Sequence, residues 1–199
     1  MKGSSNWLNF IPTIHDKQQL NKSEFHDALA LRYRWKPRYL PSVCECGKPF
    51  TVDHALSCVK GEFVHQRHDG LRDTLANIIS EVCNDVTTES ALQEVTGEVL
   101  HRSANTQNEA RLDISARSFW ERGQRAFFDV RVFNPFARSH VNRKLESVFT
   151  SNEKEKKRSY NKRIIEIEHG TFTPLVFSSM GGCSKETEVF IKRLTSKVA

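Results

Sequence analysis

The chain has 199 residues, of which 38% are hydrophobic, and its 30 Lys and Arg against 24 Asp and Glu give a formal charge of +6. This length and apolar content suit one packed core with a small appended module. No apolar run approaches the about 18 residues of a transmembrane helix, and the start lacks the apolar stretch of a signal peptide. We therefore expect an intracellular protein, nuclear or cytoplasmic and neither secreted nor membrane-bound, with a polyanion such as nucleic acid as its partner.

The N-terminal third is predicted to contain two helices on either side of a cysteine-rich segment. Apolar residues at near-helical spacing over 17–36 predict the first helix, whose end runs into a basic and aromatic stretch at 32–39. A compact, turn-rich segment follows at 44–58. An apolar stripe over 63–83 then predicts a second helix, which we expect to pack on a sheet.

We divide the chain into an N-terminal unit of helix and cysteine segment, residues 1–62, and an α/β core, residues 63–199. After the second helix we predict a short strand within 87–100, a polar loop at 104–109, and strands at 111–116 and 126–133 joined by a turn around 121–123. A loose connector at 138–152 then leads to a helix at 153–165. The chain ends with a last strand or pair of strands at 165–169 and 172–178, the Gly181-Gly182 turn, and a closing helix at 184–197.

Three cysteines and one histidine lie in a short segment, as Cys44, Cys46, His54 and Cys58. The chain's five cysteines do not make an even disulfide set, and a reducing compartment favours metal binding over a disulfide. Three thiolates and an imidazole complete the tetrahedral shell of a structural zinc ion, and the turn at Gly47 suits their convergence. The alternative is three small buried thiols beside an exposed histidine.

Two aspartates stand in apolar, strand-like surroundings, Asp113 in Arg-Leu-Asp-Ile and Asp129 in Phe-Phe-Asp-Val. A buried carboxylate is costly unless a metal ion, a cation or several donors compensate, so the pair predicts a metal site. Strand alternation places Asp129 and Arg131 on one face. Carboxylates of this kind hold the divalent ion in enzymes that hydrolyse phosphodiesters. The alternative is structural, with Asp129 and Arg131 as a neighbour pair and Asp113 making a turn bond.

The helix predicted at 153–165 carries Lys156 and Tyr160 on one face, because residues four apart are neighbours on a helix. We expect this face to overhang the two aspartates and to bring a lysine to a bound phosphate. The other basic residues of the helix either track a phosphate backbone or form a solvated face with ordinary pairs such as Glu153 and Lys157.

These motifs occur in an order that resembles a known family. The Cys/His segment is followed by Arg67-His68-Asp69 at the start of a helix, then by the two aspartates, the Lys156 and Tyr160 pair, and a strand with Gly181-Gly182 after it. The set covers residues 44–182 and resembles the restriction-like endonuclease domain at the C-terminus of site-specific non-LTR retrotransposon polyproteins. In that family a CCHC zinc knuckle precedes an Arg-His-Asn element and a PD-(D/E)xK nuclease core, whose lysine is displaced from the strand to the following helix.

The resemblance implies an α/β fold in which a restriction-endonuclease-like mixed sheet is flanked by helices, after an N-terminal helical segment and a small zinc knuckle. It implies Asp113 and Asp129 as catalytic carboxylates that hold Mg²⁺ or Mn²⁺, Lys156 as the displaced lysine with Tyr160 beside it, and structural Zn²⁺ in the knuckle. The implied activity is an endonuclease that nicks target DNA. DNA is then the main partner, with RNA or a reverse transcriptase of the same element left open as a further one.

The chain departs from the family's pattern at three positions. Leu112 stands where a proline usually lies, Asp69 replaces the asparagine, and Arg131 occupies the strand position where the wider superfamily has its lysine. None of these changes removes a carboxylate. A further acidic residue often precedes the first aspartate, and either Glu98 or Glu89 would fill that role, although both also suit an ordinary surface position.

Two other functions fit the same sequence features. One is a non-catalytic, zinc-containing nucleic-acid-binding module whose nuclease site is a relict. The other is a zinc-stabilised interaction domain whose charge is incidental. Divalent-ion binding distinguishes the endonuclease from both. A salt-sensitive affinity for DNA distinguishes the nucleic-acid-binding module from the interaction domain.

Overall fold

The computed structural model describes residues 20–33, 35–60, 62–93 and 110–199. A four-stranded mixed sheet is flanked by helices, which confirms the predicted α/β class. The elements in chain order are α1 (Lys22–Tyr33), α2 (Val52–Ala55), α3 (Phe63–Ser80), β1 (Asn84–Ala91), β2 (Arg111–Arg117), β3 (Arg125–Phe133), α4 (Leu145–Glu166), β4 (Thr171–Ser178) and α5 (Lys185–Val198).

The sheet has the order β1-β2-β3-β4. The first three strands pair antiparallel, whereas β4 runs parallel to β3. A parallel neighbour requires a crossover connection, and α4 provides it between β3 and β4. Residues 126–130 of β3 are all buried, because helices cover both faces of this strand.

Side chains alternate along β3 between two hydrophobic cores. Phe128 and Val130 join the core beneath α3 and α5, whereas Phe127 packs with Ile164 of α4. Because side chains two apart on a strand share a face, Asp129 lies on the side of the sheet that α4 covers. The alternation predicted from the sequence therefore brings this carboxylate beneath the helix that carries the lysine.

Residues 42–60 form a small unit, called the knuckle below, whose contacts with the core include two hydrogen bonds and an edge-on contact of the Phe50 and Phe63 rings. The Arg67 guanidinium in α3 donates to the Leu56 carbonyl at 3.4 Å. The Asn134 amide, directly after β3, donates to the Ser57 hydroxyl at 3.2 Å. The knuckle is thereby held beside the end of β3 and the start of α3.

The loose connector predicted at 138–152 is wrong for 145–152, because α4 begins at Leu145 and runs unbroken through the predicted helix, whereas 138–144 form turns. Its first turns are polar in composition, and their burial is a tertiary effect. Val148 is 1% exposed and packs with Phe133 and Val176 in a third core cluster. Helix formation here follows from that contact more than from local periodicity.

The strand predicted at 165–169 is also wrong. Ile165 lies in the last turn of α4, and β4 begins only at Thr171. Between them, Gly170 approaches β3 so closely that an added Cβ would meet the Arg125 carbonyl oxygen at 2.7 Å. The chain therefore turns directly from helix into strand at this glycine.

The remaining predictions concern the ends of elements and the membrane. β1 takes up the first part of the segment 87–100, while its second half and the loop at 104–109 lie outside the described residues. The first residues of the helix predicted at 17–36 lie outside them as well. Across the described ranges, we find no helix with both the length and the apolar character needed to cross a membrane.

Candidate functional site

Asp113 lies where the pairing of β2 with β3 stops. The backbone ladder runs from Arg117 opposite Arg125 to Ile114 opposite Phe128. One residue further on, the Asp113 carboxylate takes the place of a backbone acceptor, because its Oδ2 accepts a hydrogen bond of 2.5 Å from the Val130 amide. The side chain of Asp113 thus bridges the two strands at this end of the sheet.

Asp129 is buried at the same end of the sheet and is paired with Lys156. The Lys156 ammonium nitrogen lies 2.7 Å from Asp129 Oδ2, and the two side chains are only 19% and 7% exposed. The expectation that the helix face of Lys156 overhangs the strand therefore agrees with the geometry. Arg131, by contrast, is exposed. Lys156 is the partner of Asp129 here, and the alternative Asp129–Arg131 pair is not seen among the described contacts.

Tyr160 supports the lysine from the next turn of α4. The Lys156 ammonium lies 5.8 Å from the centroid of the Tyr160 ring, within the range of a cation–π contact. The same ring packs against Phe172 of β4, with centroids 5.7 Å apart. Tyr160 is thus held between the sheet and Lys156, and its contacts limit the positions that the ammonium can take.

His68 is a residue of this site that the sequence analysis did not place there. Its Nε2 lies 3.2 Å from Asp113 Oδ2 and 3.1 Å from the Val130 carbonyl oxygen, and its Nδ1 lies 3.1 Å from Asp69 Oδ1. The ring therefore joins α3 to both strands. The available signal was its place in Arg67-His68-Asp69, which marked a family motif without indicating a contact with the aspartates.

The charges of the site influence one another. The pKa of Asp129 is raised to about 6, because burial and the nearby Asp113 charge outweigh the opposing effects of Lys156 and His68. Burial alone would lower the pKa of Lys156, but its contact with Asp129 outweighs burial and raises it. Burial and then the Asp129 charge raise the pKa of Tyr160. Lys156 therefore stays cationic at neutral pH, whereas the Asp129 carboxylate takes up a proton near pH 6.

The hydrogen bond with Asp113 raises the pKa of His68 from 6.5 to about 9, although burial of the ring opposes the shift. A raised pKa means that the charged ring stabilises the fold below pH 6.5 and that this stabilisation is lost as the pH rises through 9. We expect the loss to be about 1 to 2 kcal/mol, because water screens a ring that is partly exposed.

Urea denaturation of the wild type and of His68→Asn at several pH values between 6 and 10 measures this effect. The free energy of unfolding of the wild type should fall relative to that of the variant across this window. His65→Asn replaces an exposed histidine one turn earlier and serves as the control. Equal pH dependence in the wild type and His68→Asn would show that the His68–Asp113 contact contributes no stability.

The two aspartates offer part of a divalent-ion site. Carboxylate oxygens are the ligands that Mg²⁺ prefers, and the ion is usually bound by one or two carboxylates with the rest of its shell supplied by water and substrate. One oxygen of each side chain is engaged, Asp113 by His68 and Val130 and Asp129 by Lys156. The other oxygen of each carboxylate, Oδ1, has no part in these contacts.

The knuckle holds a second candidate site, and here the predicted convergence is confirmed. The ligand atoms of Cys44, Cys46, His54 and Cys58 all lie within 4.8 Å of one another. In the described part of the chain they form the one group of three or more His, Cys, Asp or Glu side chains with this spacing. Three thiols and an imidazole are a donor set for a metal such as zinc.

Distances within the cluster fit a tetrahedral ion. The sulfurs of Cys44 and Cys58 are 3.8 Å apart, which matches the about 3.8 Å between two sulfurs bound at about 2.3 Å to one tetrahedral zinc. Cys46 Sγ and His54 Nε2 are 3.1 Å apart and would separate by about half an ångström on binding. Thr51 positions the histidine, because its hydroxyl accepts a hydrogen bond from the His54 amide at 3.0 Å.

The two glutamates proposed as a further acidic group have different outcomes. Glu98 lies outside the described residues. Glu89 lies on β1 and is 48% exposed, and its carboxylate contacts the Arg72 guanidinium of α3. Arg72 also pairs with Asp69 and Asp73, so Glu89 belongs to a surface charge network.

The described residues thus bring together two groups of chemical interest. One consists of His68, Asp113, Asp129, Lys156 and Tyr160 at one end of the sheet, and the other is the Cys/His cluster of the knuckle. No family model matches the chain, and no curated protein matches it. The geometry of these two groups is therefore the basis for a functional assignment.

Proposed function

We propose that the chain is a metal-dependent DNA endonuclease that nicks target DNA, with a restriction-endonuclease-like core and a retrotransposon origin. The observation that carries the proposal is the meeting of Asp113, Asp129 and Lys156, which come from β2, β3 and α4. A lysine supplied by the helix that follows the strand of Asp129 is the feature that the family resemblance requires. A mixed sheet flanked by helices is consistent with the implied fold.

Each residue of the group has a task in such a reaction. Asp113 and Asp129 would hold Mg²⁺ or Mn²⁺, which when bound activates water and neutralises charge on the phosphate. The Lys156 ammonium is a compact cation beside Asp129. It can exchange its contact with the carboxylate for a contact with a phosphate oxygen. His68 fixes Asp113 through Oδ2 and leaves the other oxygen for the ion.

Arg131 has a different expected role. It lies two residues after Asp129, at an exposed position of β3, and its positive charge only partly opposes the net rise in the pKa of Lys156. A guanidinium stays protonated and suits bidentate contact with a phosphate more than proton transfer. We therefore assign Arg131 to substrate binding, together with the net charge of +6 that favours a polyanion.

The proposal is tested by nicking of supercoiled plasmid in the presence of Mg²⁺. We expect cleavage by the wild type and a loss of at least about a hundredfold in Asp113→Asn and Asp129→Asn, because each removes a charged ligand of the ion. Asp85→Asn is the matched control, since Asp85 is an exposed aspartate paired with Arg117. Wild-type protein that retains zinc and leaves the plasmid intact with both Mg²⁺ and Mn²⁺ would refute the endonuclease.

A second candidate, the non-catalytic nucleic-acid-binding module, is favoured by one specific observation. Lys156 and Asp129 form a closed ion pair, and Asp113 has two partners in Val130 and His68, as in a structural network. In that case DNA binds and divalent ions do not. Isothermal titration of Mg²⁺ into wild type and Asp129→Asn separates the two, because only the endonuclease predicts binding that the substitution removes. RNA and a reverse transcriptase of the same element stay as further proposed partners.

A further inference from the structure

The basic and aromatic stretch after α1 contains a surface that the nuclease site does not explain. The rings of Tyr33 and Trp35 stack on each other, with centroids 5.0 Å apart and an interplanar angle of 24°. Both are more than half exposed, at 56% and 60%. Aromatic pairs with this geometry usually lie in a core, whereas this pair leaves its outer ring faces to solvent.

The pair is fixed in place. The Trp35 amide donates a hydrogen bond of 2.8 Å to the Ala30 carbonyl and so closes the end of α1. The inner side of Trp35 borders a cavity of about 250 Å³ that Leu31, Leu56 and Phe136 also line. Trp35 therefore lies between α1 and the knuckle, and it stacks on Tyr33 at the end of the helix.

Basic residues flank the two rings in the sequence, while one acidic residue, Asp53, also lines the cavity beside Trp35. Residues 28–44 contain four basic residues and no acidic one. Lys36 and Arg38 are exposed, and the Arg32 guanidinium lies 6.0 Å from the centroid of the Tyr33 ring. This combination of exposed rings and cations is complementary to a ligand with flat aromatic groups on a negatively charged backbone.

Tyr39 adds a third ring to the same stretch. It is 97% exposed, and its backbone has a positive φ of 60°, a conformation that a bulky residue rarely adopts. Core packing does not account for a tyrosine in this position, because the ring is almost entirely in solvent. Strained conformations of this kind are concentrated at binding surfaces.

We propose that Tyr33 and Trp35 form a stacking platform for single-stranded nucleic acid, whose phosphates are met by Lys36 and Arg38. Unpaired bases would stack on the outer ring faces, which duplex bases cannot do without leaving their own stack. The platform lies outside the strands and the helix that carry the aspartates and Lys156. Its affinity is therefore separable from cleavage, and a failure of either proposal leaves the other standing.

Fluorescence anisotropy of labelled oligothymidylate of about 12 nucleotides tests the platform, with the full chain, zinc retained and no added Mg²⁺. We expect Tyr33→Ala and Trp35→Ala each to weaken binding about tenfold, while Tyr33→Phe stays within about twofold because a ring is kept. Val141→Ala, which truncates an apolar side chain that is 60% exposed, should have no effect.

Salt dependence distinguishes stacking from charge. Lys36→Ala should lower the slope of log affinity against log salt by about one, whereas Tyr33→Ala should leave this slope unchanged. An oligouridylate of the same length identifies the source of the strand, since equal affinity indicates recognition of single strands in general and a preference indicates DNA or RNA. A duplex of the same length should be nearly insensitive to Tyr33→Ala.

Three results would overturn the platform. The first is unchanged affinity of both oligonucleotides in Tyr33→Ala, and the second is an equal loss of duplex binding. The third is a change of sedimentation without a change of nucleic-acid affinity, which would make the surface a contact between copies of the chain. Zinc content and circular dichroism report on folding, and if Trp35→Ala loses zinc, the Tyr33→Ala and Tyr33→Phe pair decides the question.

Discussion

Lys156→Ala is expected to abolish plasmid nicking while leaving affinity for DNA within about twofold, and the loss of rate should reach about a thousandfold. We expect this because of the position of the Lys156 ammonium. The ammonium is 2.7 Å from Asp129 Oδ2 and mostly buried. In the proposed reaction it would contact the reacting phosphate, and it adds little to the exposed binding surface. Arg131→Ala should show the reverse pattern, with weaker binding and a smaller effect on the rate of the bound complex.

Stability must be separated from catalysis in this experiment, because Lys156→Ala leaves a buried carboxylate without its cation. We expect the free energy of unfolding to fall by about 3 kcal/mol near neutral pH, less if Asp129 takes up a proton. The double variant Lys156→Met with Asp129→Asn removes both charges and should recover most of this stability. It should nevertheless show no nicking.

Lys157→Ala is the matched control for the lysine. Lys157 is the next residue of α4, but it points to α5 and pairs with Glu186 at 2.7 Å, with 42% of its side chain exposed. Its removal should leave the nicking rate within about threefold, since exposed pairs contribute little. Full nicking by Lys156→Ala, or equal losses in Lys156→Ala and Lys157→Ala, would contradict the assignment of the displaced lysine.

Much of the sheet and of the two sites could be predicted from local sequence signals. Alternation in β3 gave the correct facing of Asp129, and the spacing of Lys156 and Tyr160 gave the correct helix face. The four ligands of the knuckle were found because their residue types are rare and close together in the sequence. In each case the information lies within a few residues of the chain.

Features that depend on contacts between distant elements were missed. The first turns of α4 carry Leu145, Val148 and Phe149 at helical spacing among polar residues, and Val148 is buried by its packing against β3 and β4. His68 was likewise not placed at the site, because its contact with Asp113 depends on how α3 lies across the sheet. The apolar spacing at the start of α4 spans little more than one turn, and His68 has no periodic signal of its own, so the sequence located neither feature.

Removal of zinc is expected to unfold the knuckle while the α/β core stays folded. Within residues 42–60, Cys44 is the only buried residue, so this unit has almost no apolar core. Structural zinc in units of this size contributes about 10–16 kcal/mol of apparent binding free energy, which greatly exceeds what its few hydrogen bonds provide. We therefore expect one zinc ion per chain by elemental analysis, and loss of the knuckle's structure with retention of the sheet when a chelator is added.

Cysteine reactivity gives a direct measurement of this prediction. Of the five cysteines, the three in the cluster should resist a thiol reagent while zinc is bound and react after chelation, whereas Cys83 and Cys183 should react at rates that chelation does not change. Cys58→Ser should lower zinc content, and Cys83→Ser is the matched control because its thiol lies outside the cluster.

Because Arg67 and Asn134 bind the knuckle through Leu56 and Ser57, zinc loss should also release the start of α3, where His68 lies. Hydrogen exchange of α3 that stays unchanged after chelation would show that the knuckle and the aspartate site are not coupled.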